Sequence, residues 1–565
     1  MSGPGINIVI GGEAGQGLVT VGDTLSRALT RAGYEIIVTQ DYMSRIRGGH
    51  NTFAIRTGPD PVLAPTMDID ILVALDQESV DLHAGQLTAR GLIVAGDDLR
   101  LPDAPCLRVP YRRLAPKPLY DNVAALGVLG SAICNDLSIL ERLVSEAFGK
   151  KGPEVVEANL SVLRAAYAWV RQQEPSFVCM PPAPADAGPR IMLNGNEAIA
   201  LGALAGGCDF LSFYPMTPGT SVALTLIDKG RATGLVAEQA EDEIAAVNVA
   251  LGAAYAGARA IVSTSGGGFA LMCEGVSLAG MLELSVVIVV AQRPGPATGL
   301  PTRTEQADLN LVLYAGHGEF PRAVFAPGGV EDCFYLTHRA FDLAERYQSP
   351  AFVLTDQFLA DSHRSVAPFD LDALPAPPEH LLRPEEGRAY KRYRITEDGV
   401  SPRAIPGFSE ALVVSDSDEH TEDGKLTEDL SVRTAMQDKR LRKGYGLIEE
   451  TVPPDYYGPD RPALLLVCWG STLGAALEAM RHLEGREMRA AVLHFRQVWP
   501  LNGRQFLPFL EEAGRVVMVE GNSTGQLAAL IRQETGFLID NLILRYDGLP
   551  ITAAFILAGL GKLDV

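Results

Sequence analysis

The chain has few cysteines, and they are dispersed. Cys106, Cys134, Cys179, Cys208, Cys273, Cys333 and Cys468 stand far apart, with no CxxC-type pair among them. Iron–sulfur and zinc sites usually draw on such short spacings, so neither is expected on this chain. Scattered single cysteines read as core residues in a reducing compartment. Positive charge is also scarce: 48 Lys and Arg face 69 Asp and Glu, a net charge of −21. That balance excludes nucleic acid and an anionic membrane surface as partners. Long apolar runs are missing as well. The longest strongly apolar stretch, 284–291, has the length of a strand and is far too short to span a bilayer. The N-terminus enters a strand at 6–10 with no secretory signal, which points to the cytoplasm. No repeat of solenoid period occurs.

What is present is a well-cored globular chain of 565 residues, 47% hydrophobic and 21% charged, long enough for three or four domains. Residues 1–180 alternate strands (6–10, 35–38, 71–74, 92–95) with amphipathic helices, and a proline-rich joint follows at 181–188. Residues 190–365 alternate again, with strands near 210–213, 260–264, 285–290 and 351–355. Residues 366–460 are rich in Pro, Asp, Glu and Lys with little periodicity, which predicts a long connection lying over the surface, or one that is partly mobile. Residues 461–565 return to strand–helix alternation. The fold class is α/β and multidomain, with doubly wound sheets in at least two domains.

The most informative stretch is 237–268, AEQAEDEIAAVNVALGAAYAGARAIVSTSGGG. Four acids, Glu238, Glu241, Asp242 and Glu243, stand at the mouth of a helix otherwise built from Ala, Val and Gly. Small apolar residues on most sides signal burial against close neighbours. Glu243, one turn before Val247, sits where solvent gives way to packing, and a carboxylate there needs a polar partner or a task. Three loops complete the candidates. Thr217, within YPMTPGTS, leaves a strand and precedes a helix, the place where α/β domains bind ligands; simple helix capping is the alternative. The loop QRPGPATGLPTRTEQ, stiffened by three prolines, carries Arg293 and Arg303, whose forked guanidinium groups suit a carboxylate. The N-terminal GGEAGQG places Gly12, Gly15 and Gly17 between a strand and a helix, where backbone N–H groups can cradle a phosphate. Its GxxGxG order is not the dinucleotide fingerprint. Arg45 and Arg47, in SRIRGGHN, add two cations; a solvated loop is the bland alternative.

Together the YPMTPGTS, EDEIAAVNVALGAAYAGARA, TSGGGFALM, GPATGLPTRTEQADL and TDQFLADS segments resemble the α subunit of 2-oxoacid:ferredoxin oxidoreductases, in the 2-oxoglutarate branch. GGEAGQG and SRIRGGHN resemble the γ domain of the same enzymes, fused upstream. Met216 stands where the family pattern usually has Ile, and the pattern also varies at Gly219, so Thr217 is the residue transferred. The resemblance implies a γ-type domain at 1–180 and a pyrimidine-binding thiamine diphosphate domain at 190–365. It further implies a charged connecting segment at 366–460 and a transketolase C-terminal-like domain at 461–565. Glu243 becomes the glutamate that hydrogen-bonds the aminopyrimidine ring and promotes its imino tautomer; Glu238 and Glu241 are second choices. Thr217 is expected to contact substrate or cofactor, and Arg303 with Arg293 the distal carboxylate of 2-oxoglutarate. Coenzyme A, a substrate, would meet Gly12, Gly15 and Gly17 or Arg45 and Arg47. The GDG…N motif that holds Mg²⁺ and the diphosphate is missing, as are clustered cysteines. A separate β subunit is therefore expected to carry the diphosphate half of the thiamine diphosphate site, Mg²⁺ and the [4Fe–4S] cluster, with ferredoxin as acceptor. A dimer of αγ–β units follows by the same resemblance, and no metal is expected here. Pyruvate or branched-chain 2-oxoacids are the rival substrates. A non-catalytic nucleotide-binding partner, or more remotely an NAD dehydrogenase, is the rival class.

Overall fold

The computed structural model describes residues 5–13, 17–43, 49–117, 120–173, 179–184, 186–376, 390–408 and 410–563. It divides into two compact units, 1–193 with 362–369, and 194–361 with 370–565.

The first unit is built on an eight-stranded mixed sheet. Its order is Cys106–Val109, Leu87–Gly96, Ile69–Ala74, Ile6–Glu13, His50–Gly58, Glu35–Asp41, His363–Val366 and Ile191–Leu193. The first four are parallel. The strand His50–Gly58 was not anticipated, because HNTFAIRTG carries too many polar residues to stand out; it pairs antiparallel with both neighbours. One face is covered by the helices Leu18–Arg31, Asp121–Ala132 and Leu137–Phe148. In the first of these Leu18, Val21, Leu25 and Leu29 are buried at helical spacing. Gly17 precedes that helix at φ 81°, and the Asn122 amide fills the space a Cβ would take. Cys134 and Cys179 form a disulfide across a Cα–Cα distance of 5.1 Å. This differs from the expectation of free core cysteines; tertiary proximity, invisible in their spacing, decides it. Cys208, Cys333 and Cys468 are buried as expected, and Cys106 is exposed.

The second unit holds two sheets. The larger runs Gln497–Trp499, Ala323–Phe325, Pro350–Asp356, Val286–Gln292, Ala260–Thr264, Phe210–Phe213 and Val236–Gln239. All but the first are parallel to their neighbours. The smaller runs Asp455–Tyr457, Ala490–Phe495, Leu464–Trp469, Val516–Glu520 and Asn541–Leu544. One hydrophobic core passes through both, joining Val262, Ile288 and Phe352 to Val467, Trp469 and Leu493. The strand Gln497–Trp499 leaves the smaller lobe to pair with the larger sheet. Near-continuous Val and Ile in Val286–Gln292, buried at every position, is what a parallel strand covered on both faces requires.

The charged segment expected at 366–460 is exposed or half-buried over much of its described length, but part of it is anchored in this unit through buried ion pairs. Glu283, which ends the helix Cys273–Leu282 at φ 50°, receives Lys439 Nζ at 2.6 Å on one oxygen and Lys443 Nζ on the other. Both lysines come from the helix Leu430–Glu449. Arg392 donates to the Glu283 carbonyl (2.8 Å) and to Gln348 Oε1 (2.9 Å). Nearby, Arg403 pairs with Glu345 at 2.9 Å and donates to the Ala254 carbonyl. Arg392, Arg403, Lys439, Arg440 and Lys443 of this segment are thus buried, while most of its acids stay exposed or half-buried. Among the described residues no helix is long and apolar enough to cross a membrane, and no group of three or more His, Cys, Asp or Glu could hold a metal ion.

Candidate active site

Four neighbouring parallel strands, Val286–Gln292, Ala260–Thr264, Phe210–Phe213 and Val236–Gln239, end at one edge of the larger sheet. Each passes directly into a segment that carries a candidate residue. Strand C-terminal ends are where open α/β sheets place ligands.

The edge strand Val236–Gln239 is a correction to the predicted helix start. Glu238 lies on this exposed strand and Glu241 on the exposed turn after it, so neither is at the mouth of a helix. Asp242 caps the helix Glu243–Tyr255, accepting the Ala245 N–H at 2.8 Å. Glu243 is the first helical residue and is 2% exposed. Ala246, Ala250 and Ala254 are fully buried below it, and a Cβ on Gly275 would come within 2.5 Å of Val247 Cγ1. Close helix approach explains the small residues. Burying Val247 contributes roughly 1.5–3 kcal/mol.

Glu243 Oε1 is buried and has no hydrogen-bond partner. Burial, helped by the Asp242 charge, pushes its carboxyl above the ordinary range, against the pull of its own backbone N–H. The oxygen lies where a Cβ on Gly268 would collide with it and with Thr264 Oγ1. The glycines 266–268 follow the strand Ala260–Thr264 after a single residue, Ser265. They form the first turn of the helix Gly266–Leu271, and their missing side chains leave room for carboxyl groups. At the other end of that turn Asp308 Oδ2 fills the space a Cβ on Gly266 would need.

Thr217 is exposed at the end of the first loop, before a cis bond to Pro218. Gly219 packs so closely that a Cβ would sit 2.5 Å from the Thr264 carbonyl oxygen. Asn196 holds the loop from beneath, donating to the Pro218 carbonyl (2.8 Å) and Ser221 Oγ (2.6 Å). Arg293 Nη1 donates to the Thr217 carbonyl at 2.7 Å, so these two predicted residues meet. Burial lowers the Arg293 proton affinity, and Asp308 partly restores it. Arg303 stands further along the same loop, its Cβ against Gly548, beside a bond from Thr304 N–H to the Gly548 carbonyl (3.2 Å). Gln306 fixes the loop's end: it donates to the Trp469 carbonyl (3.0 Å) and accepts the Gly521 N–H (2.9 Å).

In the first unit Gly12 ends the strand Ile6–Glu13 opposite Asn51, and Gly17 opens the following helix. Gly15, Arg45 and Arg47 fall outside the described residues. A cleft of about 810 Å³ opens at the ends of Ile69–Ala74 and Leu87–Gly96, lined in part by Leu75, Asp98, Tyr111, Arg112, Lys117 and Asn122. Sequence reasoning missed it, because these residues are gathered from three separate strand ends and share no motif.

Comparison with known proteins now decides the family. Residues 201–439 match the family described as pyruvate flavodoxin/ferredoxin oxidoreductase, thiamine diphosphate-binding. Residues 7–169 match pyruvate ferredoxin/flavodoxin oxidoreductase, and 458–539 the transketolase C-terminal domain. The 2-oxoacid:ferredoxin oxidoreductase 2 subunit alpha of Aeropyrum pernix is 33% identical over 99% of this chain and 97% of its own. The chain belongs to the 2-oxoacid:ferredoxin oxidoreductases. The 2-oxoglutarate oxidoreductase subunit KorA of Mycobacterium tuberculosis is 30% identical, covering 94% and 88% of the two chains. A solved 2-oxoglutarate:ferredoxin oxidoreductase from Magnetococcus marinus, with 2-oxoglutarate, coenzyme A and succinyl-CoA bound, superposes with a TM-score of 0.94. It is 30% identical and is covered over 99% of both chains. As in other α chains of this family, a γ-like region is fused at the N-terminus, and the thiamine diphosphate-binding region carries the site just described. The orphaned Glu243 oxygen and the glycine space beside it fit the polar edge of an aminopyrimidine ring.

Proposed function

We propose that this chain is the αγ subunit of a 2-oxoglutarate:ferredoxin oxidoreductase. The reaction converts a 2-oxoacid and coenzyme A to acyl-CoA and CO₂, passes electrons to ferredoxin, and runs in reverse as reductive carboxylation. The observation that carries the reading is the buried, unpartnered Glu243 Oε1 at the C-terminal edge of a parallel sheet. Thiamine diphosphate, when bound, supplies the carbon nucleophile that attacks the substrate's keto carbon. Glu243 would share a proton with the ring nitrogen that faces it, which its raised proton affinity favours. Thr217 would contact the substrate, and Arg303 with Arg293 its distal carboxylate.

A β subunit supplies the diphosphate half, Mg²⁺ and the [4Fe–4S] cluster in this reading. Exposed apolar residues support a partner surface there: Tyr214, Ile244, Leu271 and Leu300 all belong to the segments that form the site. Coenzyme A would bind the first unit, with Gly12, Gly15 and Gly17 near its phosphates and the 810 Å³ cleft large enough for its nucleotide end. The complex is read as a cytoplasmic dimer of αγ–β units.

The test is to copurify the chain with its native partner and follow ferredoxin reduction over a panel of 2-oxoacids. Arg303→Ala is expected to reduce kcat/KM at least about tenfold more for 2-oxoglutarate than for pyruvate, the loss of a bidentate charged contact. Equal losses would remove the dicarboxylate assignment. Gly268→Ala, whose methyl would displace the Glu243 carboxyl, is expected to weaken thiamine diphosphate binding by the assembled complex about tenfold or more. Unchanged cofactor affinity in a fluorescence titration would contradict the placement of Glu243 against the ring.

A further inference from the structure

A second carboxyl in the site has no part in the reaction as described. Asp308 ends the loop that begins at Arg293 and precedes the helix Leu309–Tyr314. Its Oδ2 is buried without a hydrogen-bond partner and points at Gly266, one end of the glycine turn whose other end faces Glu243. Its backbone is held firmly. Asp308 N–H donates to Gln292 Oε1 at 2.9 Å, Gln292 Nε2 donates to the Thr355 carbonyl at 3.1 Å, and Val312 N–H donates to the Asp308 carbonyl at 3.0 Å.

The charged groups around it are Arg293, which pulls its proton affinity down, Glu305, whose own affinity is raised by burial and then by Asp308, and Glu243 across the turn. Burial wins over Arg293, and the Asp308 carboxyl is pushed up to about 6. An orphaned carboxyl in such a place is costly unless the working complex gives it a partner. Ionised, it repels a carboxylate seated on Arg293; protonated, it can donate to that carboxylate. A carboxylate on Arg293 also offsets the cation that favours ionised Asp308, so binding itself raises its affinity for a proton.

We infer that Asp308 is a substrate-binding residue that takes up a solvent proton when a 2-oxoacid docks at Arg293, keeps it on Oδ2, and offers it in a hydrogen bond to the substrate's carboxylate. One O–H bond forms at Asp308 Oδ2 at the expense of the buffer, and nothing is oxidised or reduced. The inference rests on the reading of this edge as a 2-oxoacid site.

The assembled wild-type and Asp308→Asn complexes would be titrated calorimetrically with N-oxalylglycine, an unreactive isostere of 2-oxoglutarate. Buffers of different ionisation enthalpy count the protons. At pH 7 the wild type is expected to take up close to one proton per site, and Asp308→Asn close to none. KM for 2-oxoglutarate is expected to rise about tenfold per pH unit above pH 7 in the wild type and to stay flat in the variant, with kcat little changed. Equal uptake in both complexes, or none in the wild type, overturns the role of Asp308; the second outcome needs no variant to fold. A wild-type complex that binds no 2-oxoacid at all overturns the functional reading itself, which separates the two failures.

Discussion

Glu243→Gln is expected to lower 2-oxoacid-dependent ferredoxin reduction by at least about a hundredfold while the complex still assembles. The substitution keeps the shape and the buried position at the head of Glu243–Tyr255. It removes the one property the site is built around, an oxygen able to hold or release a proton at the ring nitrogen. Because Glu243 Oε1 has no internal partner, its loss should leave folding nearly intact, and thermal unfolding of the variant should match the wild type. Turnover within a fewfold of wild type would take Glu243 out of the chemistry. A collapse of stability together with activity would instead make it a structural acid.

The second large effect is structural. Glu283 faces both Lys439 and Lys443, all three fully buried, and their charges, with that of Arg392, hold its carboxyl down to about 2 against the opposing effect of burial. Burial in turn pushes Lys439 down to about 7 and lowers Lys443, and Glu283→Gln removes the carboxylate that opposes this. Breaking a buried pair from one side costs about 3–5 kcal/mol, so the denaturant midpoint should fall markedly and the helix Leu430–Glu449 should become protease-sensitive. An unchanged midpoint would show that the lysines give up their protons instead of remaining charged.

Much of this protein was legible in its residues, for identifiable reasons. A run such as 286–290 reads as a buried parallel strand because it is short, rich in β-branched Val and Ile, and apolar at successive positions, as a strand covered on both faces requires. Acids before a small-residue helix marked Glu243, and loops after strands marked Thr217 and Arg293, since capping and ligand binding use the same chain positions. His50–Gly58 was missed because its alternation is diluted by polar residues, and Val236–Gln239 because it is four exposed residues at a sheet edge. Asp308 was passed over in the TRTEQADL segment, since nothing local shows that Gly266 makes room for it. The burial of Lys439 and Lys443 within the charged segment was not legible because their acid lies far away in the chain: 156 residues separate Lys439 from Glu283.

The sequence by itself determined the α/β class and the family, and it singled out Glu243 as a candidate, because periodicity and local motifs are properties of neighbouring residues. Only the tertiary structure decided which oxygens are left without partners, that Arg293 rests on Thr217, that Asp308 faces Gly266, and that Glu283 is ringed by buried lysines. Burial and pairing depend on what the rest of the chain brings to a place. No window of sequence contains that.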